Sequence, residues 1–114
     1  MRIIVCGGRD YDDRGTVVRL LILVAEHLGQ NLTIVHGAAR GADTLVGEVA
    51  GELGLEVEPH PADWKTHGKA AGPIRNQQML DAGADLVIAF PGGKGTADMV
   101  ERARKAGIVV LEVG

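Results

Sequence analysis

Three glycine clusters constrain this chain most, because each one stops a short apolar run. Gly7-Gly8 closes Ile3-Ile4-Val5-Cys6, and His36-Gly37 closes Thr33-Ile34-Val35. Pro91-Gly92-Gly93-Lys94-Gly95-Thr96 closes Leu86-Val87-Ile88-Ala89-Phe90. Short aliphatic runs bounded by glycine or proline read as buried strands. The segments between them carry helical signals. Asp13 is placed to cap a helix over 14–28 that Gly29 ends. Leu45, Val46, Val49, Ala50 and Leu53 share one face of a helix over 42–53 that Gly54 stops. Leu55-Glu56-Val57-Glu58 alternates as a half-buried strand ending at Pro59. Pro73 fits the first turn of a helix running to about Ala82. Ala97 to about Ala106 is a helix ended by Gly107, and Ile108-Val109-Val110-Leu111 is the last strand.

Strands that alternate with helices imply right-handed crossovers and a parallel sheet. The expected fold is α/β: a Rossmann-like three-layer sandwich with five parallel strands in order 3-2-1-4-5, in one domain over 1–114. Aromatic residues make up only 3% of the chain, so its core must be Val, Leu, Ile and Ala, which suits a parallel sheet covered by helices. The helix over 14–28 is apolar around much of its girth (Val17, Val18, Leu20, Leu21, Ile22, Leu23, Val24). One stripe would cover a sheet, so the excess predicts a second buried face and a homo-oligomer.

Several function classes fall away. A net charge of −3 argues against DNA or an acidic membrane as partner, since both want a basic surface. The single cysteine, Cys6, allows no internal disulfide and no multi-cysteine zinc site, and in its apolar run it reads as packing. The sequence contains no serine, which rules out a serine nucleophile. Met1 leads almost at once into a strand, so no signal peptide is expected, and no run is long enough to cross a bilayer. A reducing cytoplasm is the expected compartment.

The three glycine loops share one topological position, the carboxyl end of a strand. Open parallel sheets bind ligands there, in the crevice where strand order reverses, which here falls between strands 1 and 4. Glycine lets backbone N–H groups approach an anion closely. The second and third loops run straight into helix N-termini, which favour negative charge. Each loop carries a cation: Arg9, Arg40 or Lys94. Basic loops on an acidic chain predict an anionic ligand. Gly7, Gly8, Gly37, Gly41, Gly92, Gly93 and Gly95 are candidate backbone donors, and Arg9, Arg40, Arg75 and Lys94 candidate phosphate partners. Asp43 reads either as an early-turn helix acid or as an acceptor for ribose hydroxyls, and Thr96 as an N-cap or a phosphate contact. His36 reads as packed rather than catalytic. The stretch from Pro59 to Gly72 reads as a long irregular rim over the site, with Trp64 as a stacking surface or plug. His60, Asp63 and His67 match no common zinc spacing, so no metal is expected. Neither a P-loop nor a G-x-G-x-x-G follows any strand, so no ATP hydrolysis, dinucleotide chemistry or cofactor is expected.

Four ordered motifs carry a resemblance over essentially the whole chain. They are Gly7-Gly8-Arg9-Asp10-Tyr11, His36-Gly37-Ala38-Ala39-Arg40-Gly41-Ala42-Asp43, Ala71-Gly72-Pro73-Ile74-Arg75-Asn76 and Pro91-Gly92-Gly93-Lys94-Gly95-Thr96-Ala97-Asp98-Met99. Together they resemble the YspA/YpsA-like branch of the SLOG superfamily, which also includes the Lonely Guy phosphoribohydrolases and the Smf/DprA DNA-processing protein. The resemblance implies a Rossmann-like fold and a nucleotide or nucleotide-derivative site at these motifs, Ala42, Asn76 and Pro91 included. It implies a ligand-binding or sensing role. The Lonely Guy enzymes carry P-G-G-x-G-T-x-x-E and an arginine on the preceding helix. Arg75, expected with Asn76 to open a helix and clamp phosphate or ribose, looks like that arginine. The glutamate position falls on Met99, and the adjacent Asp98 is turned away by about 100°. N-glycosidic cleavage passes through a cationic sugar that a carboxylate must serve. Phosphoribohydrolase activity, with Arg75, Asp98 or Asp43 in the catalytic roles, is therefore the alternative to binding. DNA binding is a second alternative, and the acidic balance and scarce aromatics stand against it.

Overall fold

The computed structural model describes residues 1–29 and 31–114. Strands β1 (Arg2–Cys6), β2 (Thr33–His36), β3 (Glu56–Pro59), β4 (Leu86–Ala89) and β5 (Val110–Glu112) form one all-parallel sheet in order β3-β2-β1-β4-β5. This is the α/β, Rossmann-like architecture that the alternation of runs predicts. The helices are α1 (Arg14–Leu28), α2 (Ala42–Glu52), α3 (Trp64–His67), α4 (Ala71–Asp81) and α5 (Lys94–Lys105).

Successive strand residues point to opposite faces, and that alternation divides the core in two. Ile3, Val5, Ile34 and Ile88 pack against Val17, Leu21 and Val24 of α1 and Val46 and Val49 of α2. Ile4, Val35 and Val87 pack on the other face against Met79 and Leu80 of α4 and Met99 and Ala103 of α5. At the β3 end of this second face, charge closes the sheet. The Arg2 guanidinium sets Nη1 and Nη2 on the two Glu58 carboxylate oxygens at 2.8 and 2.6 Å, and His60 Nε2 lies 2.6 Å from Glu58 Oε2.

The caps explain where the helices begin. Asp13 caps α1 as expected, accepting from the Thr16 N–H at 3.1 Å. The stretch from Pro59 to Gly72, expected to be irregular, is partly helical. Asp63 accepts from the Thr66 N–H at 3.1 Å and starts α3, and a 3-10 turn over Gly68–Ala70 leads into α4. The α4 helix begins at Ala71, so Pro73 sits in the first turn, where its missing N–H costs no bond. Arg75 and Asn76 consequently lie in the second turn and do not open the helix. The α5 helix begins at Lys94, one turn ahead of the expected Ala97. Pro59 belongs to β3, where the sheet edge tolerates it. On α1 only Val17, Leu21 and Val24 are buried, and Ile22 and Leu23 remain 39% and 51% exposed, so the apolar excess faces outward. Among the described residues, no helix is long and apolar enough to cross a membrane.

Candidate functional site

The three glycine loops come together at the carboxyl edge of β1 and β4. A cleft of about 1590 Å³ opens there. Its wall includes Gly7, Gly8, Arg9, Gly37, Arg40, Asp43, Arg75, Asn76, Asp98 and the whole run Pro91 to Thr96. Gly41 and Ala42 do not line it. Ala42 is fully buried beneath loop 1, the Gly7-Gly8-Arg9 turn after β1, and a Cβ on Gly41 would strike the carbonyls of Gly8 and Arg9.

One residue joins the loops. The Gly8 N–H donates to Pro91 O at 2.9 Å, and the Gly8 carbonyl accepts from the Ala42 N–H at 3.1 Å. These two amides hold the loops together, so neither is free to meet an anion. Several glycines serve the same close packing. A Cβ on Gly7 would sit 2.6 Å from the Ala42 Cβ, and one on Gly92 would strike the Thr96 hydroxyl. Gly93 and Gly95 differ: a Cβ at either position would meet nothing within 4 Å. Nothing in the fold requires glycine at these two positions.

The two helix starts at the cleft are chemically unlike. Gly93 precedes α5, no side chain caps it, and no acid stands in its first turn among the described residues. The N–H groups of Lys94, Gly95 and Thr96 have no i−4 partner in the helix, and no other group among the described residues accepts from them. Thr96 is the third residue of α5, which excludes the N-cap role considered for it. The start of α2 carries its own anion. Asp43 is 6% exposed, and its Oδ2 accepts from the Ala39 N–H at 3.1 Å. Its Oδ1 is buried with no hydrogen-bond partner among the described residues. Burial pushes the Asp43 carboxyl above its ordinary value, against the pull of the Ala39 N–H, the Arg75 guanidinium and the Gly37 N–H.

Arg75 reaches the cleft from α4, half-buried and already bonded. Its Nη1 donates to the Gly37 carbonyl and, at 3.4 Å, to that of His60. Its Nε donates to Asn76 Oδ1 at 3.1 Å. Burial is the main influence lowering its pKa, and nearby Arg9 adds to it while Asp43 opposes. Asn76, expected as a clamp on the ligand, instead braces α5. Its Nδ2 donates to Gly95 O at 3.2 Å and to Asp98 Oδ2 at 3.0 Å. The same Asp98 oxygen accepts from Arg102 Nε at 2.9 Å. Met99 is 1% exposed on the cleft wall. Of the acids considered for catalysis, Asp98 is thus tied into the α4–α5 contact through Oδ2, and Asp43 is the one with a buried oxygen that has no partner among the described residues.

The rim is built from α3 and loop 1. Trp64 is 49% exposed, and the Arg9 guanidinium lies 5.8 Å from its ring centroid, within cation–π range. Arg40 and Asp10 approach at 3.8 Å, but both are exposed and the pair contributes little. His36 accepts from the Ala38 N–H at 3.0 Å and so steadies loop 2, the turn over residues 37–41 between β2 and α2, where Ala38 has φ +57°. His60 pairs with Glu58, and Asp63 serves as a cap. Sequence reasoning missed Cys6, Tyr11, Lys69 and Met79 on the cleft wall. Burial, with help from Asp43, pushes the Cys6 thiol up to about 12, so it stays protonated at neutral pH. Tyr11 had a legible signal: it ends the first motif, and its ring lies 5.0 Å from that of Phe90, the residue just after β4.

Known proteins resemble this chain along its length. The model of the YspA, cpYpsA-related SLOG family matches residues 1–67. The Gene 61 protein of Mycobacterium phage D29 is 42% identical, over 99% of this chain and 96% of that protein. Among solved structures, the X-ray structure of TM1055 superposes with a TM-score of 0.76 over 96% of this chain and 71% of that one. At 20% identity that likeness concerns the fold alone.

Proposed function

The chain belongs to the YspA, cpYpsA-related SLOG family, and from that premise we propose that its cleft binds a nucleotide or nucleotide-derived small molecule, with phosphate at the start of α5. The observation that carries this reading is the open first turn of α5. It offers three N–H groups unclaimed among the described residues, a positive dipole end, no acid in its first turn, and backbone that glycine leaves uncovered at 93 and 95. Lys94, Arg9 and Arg75 line the same cleft and supply positive charge. The exposed Trp64 face beside Arg9 suits a nucleobase, because stacking tolerates any base.

Binding or sensing is favoured over turnover. The position that would serve a cationic sugar holds the buried Met99, and the neighbouring Asp98 is held by Asn76 and Arg102. We place the protein in a reducing cytoplasm, where the protonated thiol of Cys6 remains free. The outward apolar residues of α1 suit a second copy of the chain.

A thermal-shift screen with nucleoside mono-, di- and triphosphates, ADP-ribose and cyclic dinucleotides tests the reading, since a ligand of the folded state raises the melting point. At least one phosphate-bearing compound is expected to raise it, with no ribose 5-phosphate released on incubation. A flat screen would overturn the binding proposal. Release of ribose 5-phosphate that Arg75→Ala abolishes would instead establish the phosphoribohydrolase.

A further inference from the structure

We propose that Asp43 is a specificity-determining residue that accepts a hydrogen bond from a ribose hydroxyl of the bound nucleotide, so that the cleft selects ribosyl ligands over those lacking sugar hydroxyls. The inference rests on the phosphate reading above and orients the ligand within it.

A buried acceptor without a donor is costly, and native proteins rarely keep one without a use. Asp43 is 6% exposed, lines the cleft, and among the described residues leaves Oδ1 unpartnered while Oδ2 is held by the Ala39 N–H. That fixed oxygen leaves the carboxylate one orientation, with Oδ1 as its spare acceptor. The charge rejects a second phosphate at the start of α2, because two anions cannot share one helix end at low cost. What it admits is a neutral donor. Gly8 ties the start of α2 to the Pro91 turn that leads into α5 through its bonds to Ala42 and Pro91, so both helix starts open on one cleft. A phosphate on the first turn of α5 therefore brings the attached sugar toward loop 2. Oδ1 is shielded from water in the free protein, so the hydroxyl meets it only as the chain around Asp43 gives way on binding. Among the described residues, Arg75 is the charged group whose field acts on Asp43.

Isothermal titration separates this inference from the reading beneath it. The probes are ribonucleoside 5′-monophosphates, their 2′,3′-dideoxy counterparts, and inorganic phosphate. The wild-type chain is expected to bind the ribo form at least about tenfold more tightly, as sites built around a hydroxyl do. Asp43→Ala is expected to bring the two affinities together while its affinity for inorganic phosphate stays the same or rises. Asp43→Asn, which keeps the side-chain volume, should narrow the ratio if the alanine variant folds poorly. Comparing two ligands on one variant cancels any general loss of stability. Equal binding of both forms by the wild type would overturn the role of Asp43 and leave the phosphate site standing. A preference that survives both substitutions would also overturn it. If neither form nor phosphate binds, the role and the reading beneath it fail together.

Discussion

Gly95→Ala should stabilise the protein and weaken its phosphate binding, and these opposite signs make it the most informative single substitution. Gly95 lies in the first turn of α5, has no positive φ, and has open space where a Cβ would go. Alanine in a helix is better than glycine by up to about 1 kcal/mol, partly because it restricts the unfolded chain. A first-turn position realises about half of that, so a gain of about 0.5 kcal/mol is expected. For a chain of this size that corresponds to a rise in melting temperature of about 2–4 °C. The Gly95 carbonyl still accepts from Asn76, because that bond runs through the backbone. The ligand pays the cost instead. A methyl group beside an unclaimed N–H holds the phosphate off, and losing one charge-assisted hydrogen bond of about 1.5–3 kcal/mol weakens affinity by about ten- to a hundredfold. Thermal unfolding without ligand, and calorimetric titration with the best nucleotide from the screen, read the two effects separately. A lowered melting temperature would refute the open-space geometry. Unchanged affinity would refute the seat of the phosphate at α5.

Four further outcomes follow from the same geometry. Gly41→Ala should cost about 3 kcal/mol by urea denaturation, because φ +80° opposes a side chain and the added Cβ strikes the Gly8 and Arg9 carbonyls. The Arg2 guanidinium, and then His60, holds the Glu58 carboxyl down at about 2, so its contribution is present above the usual carboxylate range and is lost as pH falls from about 4.5 toward 2. Glu58→Gln should flatten that acid limb by no more than about 1 kcal/mol, because both partners are partly exposed. The Asp43 carboxyl has the opposite sign: its raised pKa means that stability falls as pH climbs above 3.8 and stays lower at neutral pH. Asp43→Asn should accordingly lose less stability than wild type between acid and neutral pH, read as a flatter pH profile in urea melts. Light scattering on a sizing column should give the mass of a dimer or larger, reduced to a monomer by Leu23→Glu on α1; a monomeric wild type would remove the oligomer.

The strands were legible because a buried parallel strand has few alternatives once glycine or proline bounds an aliphatic run, as for Leu86 to Phe90. The crossover rule made them parallel, and their order came with the expectation of a Rossmann-like sheet. The helix starts were less legible. Asp63 stands among charged and polar neighbours that hide its capping role, and α5 recruits Lys94, Gly95 and Thr96 from a segment with every local mark of a loop. Most of the candidate residues meet at one cleft, because a parallel sheet brings the ends of its strands to one edge. Their partners were not legible at all. Asn76 reaches Gly95 and Asp98 only because α4 and α5 pack side by side, and no periodicity encodes a contact between residues 19 and 22 positions apart.

The same contacts change what a glycine-rich loop means. Read along the chain, the clusters at 7–8, 37–41 and 91–95 look like three equivalent cradles for phosphate. In space, Gly8 spends its N–H on Pro91 and its carbonyl on Ala42, and Gly7 and Gly92 make room for the neighbouring loops. These glycines build the cleft by letting three backbones approach one another. An anion can use only amides that the protein leaves unclaimed, and the first turn of α5 offers three of them with no acid in that turn among the described residues, across from a helix start whose charge Asp43 already offsets. An electropositive seat on one side and a buried acceptor on the other give the cleft a direction. A ligand with one anionic end and one hydroxyl-bearing end fits that direction, and a ligand with phosphate at both ends does not.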